Sequence, residues 1–194
     1  TLESGGSISN SGTIEANAEA SDTAIANAFG INVKILESDG SIANSGIIDA
    51  SADASSSAEA NAHGINVGTL GGSIANSGTI EATAEASDTA IANAIGINVG
   101  MLESGGSITN SGYVEATVYA SSSAEANAYG INVGTLGGSI ANSGASHAIA
   151  DNSSSYSSPK SSAFDSRVAT IPSLARSASI TDATSCAIPT LLEP

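Results

Sequence analysis

Two histidines and one cysteine are the side chains of this sequence best suited to nucleophilic or general acid–base chemistry. His63 and His147 are far apart in sequence, and Cys186 has no patterned histidine partner. No set of cysteines and histidines has the spacing of metal ligands, and the sequence carries no phosphate-binding or nucleotide-binding glycine motif. We therefore expect no catalytic residue, no metal and no cofactor, and predict that the protein is not an enzyme.

Four carboxylates recur at equivalent positions: Glu15, Asp49, Glu81 and Glu115. The repeat described below predicts that they form an outward-facing column, about 9.6 Å apart if every second coil contributes one. Two carboxylates that far apart cannot share one cation. This column is expected to be a solvated, solubilising face.

The charge balance excludes other classes of function. The chain has 19 acidic and 4 basic residues in 194, a formal charge of −15. Nucleic-acid binding needs Lys and Arg to contact phosphates, and residues 1–146 contain only Lys34. No stretch of about 20 apolar residues could form a transmembrane helix. We expect no nucleic-acid partner and no transmembrane segment in this chain. The chain starts inside a repeat at Thr1, which indicates a fragment or a processed piece.

An internal repeat organises the first 146 residues. The motif GSIxNSG begins at Gly6, Gly40, Gly72, Gly106 and Gly138, and each unit divides into halves of about 17 residues that share one Asn. Apolar residues alternate with polar ones in stretches such as 79–86, the pattern of a strand with one buried face. A short strand buries that face by stacking on equivalent strands of neighbouring repeats.

We predict an all-β fold: a single-chain β-solenoid, with a right-handed β-helix favoured, of about 17 residues per coil and about nine coils. Stacked asparagines would hydrogen-bond as one ladder at the coil spacing of about 4.8 Å. Glu59 and Glu125 stand where other repeats have Ile, so we expect a local slip that turns Ala58 and Ala60 inward. The predicted structural ladder contains Asn10, Asn27, Asn44, Asn61, Asn76, Asn93, Asn110, Asn127 and Asn142.

Two positions vary widely between sister repeats. Such variation is poorly explained by a tightly packed core, so exposed apolar side chains in a row could form a contact patch. Neutral drift at an unconstrained corner is the alternative. The candidate partner-contact positions are Phe29, His63, Ile95 and Tyr129 in one column, and Ile47 and Tyr113 in the column shared with Thr13 and Thr79.

The repeat pattern ends near Gly144, and all four prolines follow it. The sequence predicts a β-solenoid repeat domain over residues 1–146 and a non-repeat tail over residues 147–194. A cap over the last coil, a Ser-rich linker and a non-native continuation are the alternatives for this tail.

Repeats of the form GSIxNSGxIxA alternating with xxGINV resemble the passenger regions of bacterial autotransporters and of secreted adhesins of the filamentous-haemagglutinin type. The resemblance covers residues 1–146. It implies a right-handed β-helix outside the cell that serves as an adhesin or stalk. It transfers no functional residue.

The predicted function is therefore a non-catalytic extracellular structural or adhesive repeat protein, secreted or on the bacterial cell surface, associated with the outer membrane. Its partner would be a host or neighbouring-cell surface or a glycan. The alternatives are an ice-binding β-solenoid, which needs regular outward Thr ranks, and a filament subunit that self-associates through its coil ends.

Overall fold

The computed structural model describes residues 1–121, 124–152, 160–170 and 179–182. All elements in this part of the chain are β-strands, arranged in three parallel sheets. The chain visits the sheets in rotation, so each coil contributes one strand to each sheet.

The short sheet contains the four-residue strands, and in its first five strands one Ile points inward between two small outward residues. Its strands, in spatial order, are β1 (Ser7–Asn10), β4 (Ser41–Asn44), β7 (Ser73–Asn76), β10 (Ser107–Asn110), β13 (Ser139–Asn142) and β16 (Ser179–Asp182).

The acidic sheet contains eight-residue strands in which Ala alternates with Glu, Asp, Thr, Ser or Asn. Its strands are β2 (Thr13–Ala20), β5 (Ile47–Ala54), β8 (Thr79–Ala86), β11 (Tyr113–Ala120) and β14 (Ala145–Asn152).

The long sheet contains the longest strands, and its first four strands change direction at a glycine near their middle. Its strands are β3 (Ile25–Leu36), β6 (Glu59–Leu70), β9 (Ile91–Leu102), β12 (Glu125–Leu136) and β15 (Lys160–Thr170).

The β-solenoid prediction is confirmed, but the predicted coil length is wrong. Strand partners are alternately 34 and 32 residues apart, as in Asn10↔Asn44 and Asn44↔Asn76. The fold therefore has coils of about 34 residues and about four turns, not nine coils of 17 residues. The two 17-residue halves of each unit lie on different sides of one coil.

The reason for this error lies in the orientation of matching residues. Ile14 and Ile31, four residues after their asparagines, both point into the interior. Ile8 and Ile25, two residues before those asparagines, do not correspond: Ile8 packs against the core, whereas Ile25 is 58% exposed. The 17-residue repeat therefore aligns some inward-facing residues of one half with outward-facing residues of the other half.

The interior has two separate cores. The acidic sheet packs on the first half of the long sheet through alanines, with Val118 as the one larger buried side chain of this cluster. The second half of the long sheet closes with the short sheet around a core of Ile, Leu and Val. Because alanine is so short, the two sheets of the alanine core must lie closer together than the usual ~10 Å.

The alanine core limits side-chain size. Ala84 is fully buried, and Val118 occupies the paired position in the next coil. We expect Ala84→Leu to lower the free energy of unfolding by about 1–3 kcal/mol because it overpacks the narrow space. Ala84→Val is the matched control, since the fold already accepts valine there. Urea unfolding followed by circular dichroism measures both, and equal costs would contradict a size-limited core.

Turns with left-handed residues join the sheets. Asp22, Ser56 and Asp88 have φ values of 63°, 65° and 61° between the acidic and long sheets. Asp adopts this conformation more readily than most residues do. The polar segments SDTA and SSSA of the sequence form this corner.

Strands β14, β15 and β16 pair in register with β11, β12 and β13. In this layer Ser146 pairs with Val114 of the core column, and Asp165 takes the place of the bend glycine of earlier coils. The Ser146 hydroxyl donates to the Asp165 carbonyl oxygen (2.8 Å), and the Asp165 carboxylate accepts from the Ala148 amide (3.0 Å). In this layer the core residue is smaller than in the preceding coil (Ser for Val), and the residue at the bend is larger (Asp for Gly). The division at residue 146 stays a prediction, and most of the tail beyond residue 152 lies outside the described residues.

Candidate functional site

The asparagines form ladders on different sides of each coil, not the single predicted column. Asn76 hydrogen-bonds to Asn44 and Asn110, whereas Asn93 hydrogen-bonds to Asn61 and Asn127. The expected contact between Asn76 and Asn93 is therefore wrong. The members of the buried ladder are Asn10, Asn44, Asn76, Asn110 and Asn142.

The buried ladder joins the short sheet to the acidic sheet. Asn76 is 1% exposed, and its Nδ2 donates to Asn110 Oδ1 (2.8 Å), to Gly78 O (3.2 Å) and to Tyr113 O (3.3 Å). Its Oδ1 accepts from Asn44 Nδ2 (2.8 Å). The same pattern repeats from coil to coil, so this ladder adds side-chain hydrogen bonds to the backbone carbonyls of the corner, some of which also accept a backbone amide from the next coil.

Two further ladders lie on the outer side of the long sheet. The first contains Asn27, Asn61, Asn93 and Asn127, with Nδ2 to Oδ1 distances of 2.9–3.1 Å. The second, which the sequence analysis did not identify, contains Asn32, Asn66, Asn98 and Asn132 at 2.8–2.9 Å. The sequence does mark this second ladder: every GINV motif contains one of its asparagines, and the motif occurs once per coil.

The predicted contact column Phe29, His63, Ile95 and Tyr129 does lie in one row on the long sheet, between the two outer ladders, and Phe164 continues it. Phe29 and His63 have ring centroids 5.1 Å apart, and Tyr129 stacks on Phe164 at 5.8 Å. Ile95 points outward yet is only 8% exposed. The surface is therefore recessed at Ile95, next to the bend of its strand at Gly96, whereas Phe164 at the end of the row is 49% exposed.

His63 is neutral at ordinary pH. Burial lowers the pKa of its imidazole to about 4, and its Nδ1 is buried without a hydrogen-bond partner in the described structure. This is the environment of a packed side chain and not of an acid–base catalyst working near neutral pH.

The other two predicted contact positions, Ile47 and Tyr113, lie on a different face, the outer side of the acidic sheet. Ile47 is 45% exposed. The Tyr113 hydroxyl donates to Glu115 Oε2, and the Tyr113 ring lies 5.6 Å from that of His147. The hydrogen bond to Glu115 raises the pKa of Tyr113 to about 12. The six predicted contact positions therefore do not form one patch.

The carboxylate column is outward-facing, but its predicted spacing is wrong. Glu15, Asp49, Glu81 and Glu115 pair directly in successive strands. They are therefore about one strand spacing apart, ~4.8 Å, because each coil contributes one. A second acidic column, Glu19, Asp53 and Glu85, runs parallel to it and borders a shallow groove of about 630 Å³ that is also lined by alanines and serines.

This crowding changes the proton affinity of the column. Burial and the Glu15 charge raise the pKa of Asp49. Burial, with Asp49 and Glu115 on either side, raises the pKa of Glu81. A carboxyl whose pKa is raised by folding binds its proton more tightly in the folded state. Folding is therefore favoured at low pH, and stability falls as pH rises through the folded pKa.

We expect Glu81→Gln to raise the melting temperature at pH 7 because it removes a charge between two like charges. The gain should shrink as pH falls toward the pKa of an unfolded glutamate, and as added salt screens the repulsion. Glu37→Gln, at an exposed turn, is the control and should change the melting temperature little. A lower melting temperature for Glu81→Gln at pH 7 would contradict this prediction.

Glu59 and Glu125 need no strand slip. They pair in register with Ile25 and Ile91 in a column that points outward in every described coil. Ala58 and Ala60 are buried, as expected, but in the regular register. The unusual residues of this column are Ile25 and Ile91, because apolar side chains are normally buried and these two are 58% and 39% exposed.

The remaining chemistry-bearing residues do not come together. Cys186 lies outside the described residues. Within the part of the chain that the structure describes, no group of three or more His, Cys, Asp or Glu is arranged to hold a metal ion. The same residues include no helix long and apolar enough to cross a membrane.

The class of protein is defined by its fold: a three-sided parallel β-solenoid with an acidic face, a face of small residues and a face of amide ladders. No protein-family model, curated protein or solved structure matches this chain.

Proposed function

We propose that this chain is a non-catalytic adhesive or structural rod that works outside the cell, secreted or displayed on a bacterial surface. The observation that carries the proposal is the coil-to-coil repetition of its outer faces. Two ladders of identical asparagines continue through four coils on the outer side of the long sheet. Catalysis requires one place that differs from the rest, whereas a binding or spacer surface gains from repetition.

The distribution of charge supports an adhesive role for one side only. In the first four coils the acidic sheet presents seven outward carboxylates: Glu15, Glu19, Asp49, Asp53, Glu81, Glu85 and Glu115. The long sheet presents only Lys34, Glu59 and Glu125 in the same coils. The acidic sheet keeps the rod soluble, and the long sheet is free for contact.

A bead assay tests the adhesive role. Beads coated with the whole chain are expected to attach to bacterial or host cells more often than beads coated with a globular acidic protein of similar charge. For a purely structural role, the expected result is resistance to force in single-molecule pulling, as coils peel off one by one. Failure of both attachment and mechanical resistance would overturn the proposal.

A further inference from the structure

The outer side of the long sheet contains a recessed strip that we call the amide valley. Its floor is the column of Phe29, His63, Ile95, Tyr129 and Phe164, and the two outer asparagine ladders form its sides. The outward Ile95 is 8% exposed, so the floor is recessed at its centre, whereas Phe164 at its end is 49% exposed. The valley runs along the rod axis, because each column advances by one residue per coil.

The second outer ladder has hydrogen-bonding capacity to spare. Asn98 donates one N–H to Asn66, and its Oδ1 accepts one from Asn132. A primary amide has two N–H donors and two acceptor lone pairs. The described residues offer no further partner to the second N–H or the second lone pair of Asn98, and the same holds for Asn66. The ladder therefore presents about one donor and one acceptor per coil, every ~4.8 Å.

The first outer ladder differs in this respect. The Nδ2 of Asn127 also reaches Glu125 Oε1 (3.3 Å), and that of Asn93 also reaches Glu59 Oε1 (3.5 Å). These contacts pair the only two carboxylates of the long sheet's first four coils with amides. Over its first four coils the valley is thus a nearly uncharged surface on a chain of formal charge −15.

Charge complementarity selects the occupant. An anionic polymer is repelled by the rod as a whole, and a cationic one is drawn to the acidic sheet. The valley is left for an uncharged ligand that offers both donors and acceptors and has an apolar face. An extended peptide has such groups, but its residues advance by about 3.3 Å and fall out of step with the coils. A sugar ring in an extended polysaccharide is close to one coil in length, and its hydroxyls both donate and accept.

We propose that the amide valley binds a single uncharged polysaccharide chain that lies along the rod axis. The C–H faces of the sugars pack on the Phe29–Phe164 floor, and their hydroxyls bond to the second outer ladder. This inference rests on the proposed adhesive function and names its ligand class. Each coil adds a similar increment of binding, so affinity rises with chain length until the ligand spans four coils, roughly 19 Å.

Calorimetry with the whole chain tests the proposal. The probes are neutral glucan and chitin oligosaccharides of increasing length, with oligoalginate as the anionic probe and oligolysine as the cationic probe. The expected result is binding of at least one neutral series with affinity that rises with length, and no binding of oligoalginate. Absence of binding by every neutral series overturns the proposal, and so does a preference for oligoalginate.

Variants locate the binding site. Asn98→Ala removes one donor and one acceptor from the half-exposed ladder and is expected to weaken binding about tenfold, or about 1.4 kcal/mol. Tyr129→Ala removes part of the floor and is expected to weaken binding similarly. Thr83→Ala, a half-exposed residue of the same coil on the acidic sheet, is the matched control. If Thr83→Ala and Asn98→Ala weaken binding equally while both stay folded, the valley is not the site.

The two proposals fail separately. Beads that attach to cells while every neutral oligosaccharide fails to bind would overturn the polysaccharide proposal and leave adhesion standing. Oligosaccharide binding without attachment of beads or mechanical resistance would overturn the proposed function and leave the valley as a sugar-binding surface.

Discussion

Asn76→Ala is expected to lower the free energy of unfolding by about 3–5 kcal/mol, whereas Asn93→Ala should cost less than about 1 kcal/mol. Both residues have the same place in the 17-residue half-repeat. Asn76, however, is 1% exposed, and its removal takes the side-chain donor from Asn110 Oδ1 and from the carbonyl of Tyr113. The carbonyl of Gly78 loses one of two donors, because it also accepts the Tyr113 amide. Buried groups left without partners cost about 1–3 kcal/mol each. The partners of Asn93 lie on the outer side of the long sheet, where water can replace it.

Urea unfolding measured by circular dichroism compares the two variants, and amide hydrogen exchange at Tyr113 and Gly78 reports the local effect. Asn76→Asp separates loss of the amide from loss of volume, because a carboxylate cannot donate. It should be more destabilising than Asn76→Ala at pH 7, since it buries a charge. Burial would raise the pKa of the new carboxyl, so stability should partly return as pH falls. Equal costs for Asn76→Ala and Asn93→Ala would contradict the distinction between the ladders.

The same pair of asparagines shows how far the sequence could predict the fold. Alternating apolar residues and a regular repeat were sufficient for an all-β solenoid with stacked asparagines. The coil length was predicted wrongly, because Ile and Asn recur twice per coil in similar surroundings. The distinguishing signal was present in the glycines: Gly78 follows Asn76 by two residues and forms a tight corner, whereas Gly96 follows Asn93 by three and bends a continuous strand.

The candidate site was predictable in part for the same reason. Residues at equivalent positions of the repeat lie in the same column. The sequence alone could therefore predict the row of Phe29, His63, Ile95 and Tyr129. Neighbouring columns depend on which strands share a sheet. With the wrong coil length, the carboxylates were placed twice as far apart as they are, and the sheet that carries Ile47 and Tyr113 could not be assigned. The recess at Ile95 lies beside the bend of the long sheet; Gly96 marks that bend in the sequence, but the depth of the surface beside it was not predicted.

The 34-residue coil also changes which residues would form the threonine column of an ice-binding face. With coils of 34 residues the relevant outward column is Thr13, Ile47, Thr79 and Tyr113, without the glycines that a 17-residue coil would insert. Ile47 and Tyr113 still interrupt the threonines of this column. The regular columns of one polar residue type in this molecule are those of asparagine.

Gly78→Ala is expected to cost about 2–4 kcal/mol, whereas Gly12→Ala should leave stability unchanged or raise it by about 0.4–1 kcal/mol. The two glycines occupy the same corner in different coils. A Cβ on Gly78 would overlap the carbonyl oxygen of Gly46 in the preceding coil and lie 2.7 Å from the carbonyl carbon of Ser45. A Cβ on Gly12 meets nothing within 4 Å. Neither glycine has a positive φ, so alanine is compatible with the backbone at both positions and only the stacking differs.

The overlap can be relieved only by moving the two coils apart, which strains the corner hydrogen bonds from Gly78 N to Asn44 O (3.2 Å) and from Thr79 N to Gly46 O (2.9 Å). The buried ladder passes through the same corner, so its Asn44–Asn76 bond should weaken as well. Thermal unfolding and hydrogen exchange at Gly78 and Thr79 would show this as faster exchange in Gly78→Ala alone. If Gly12→Ala destabilises the chain as much as Gly78→Ala, close approach of neighbouring coils is not what requires glycine at this corner. The cost would then arise from backbone conformation within each coil.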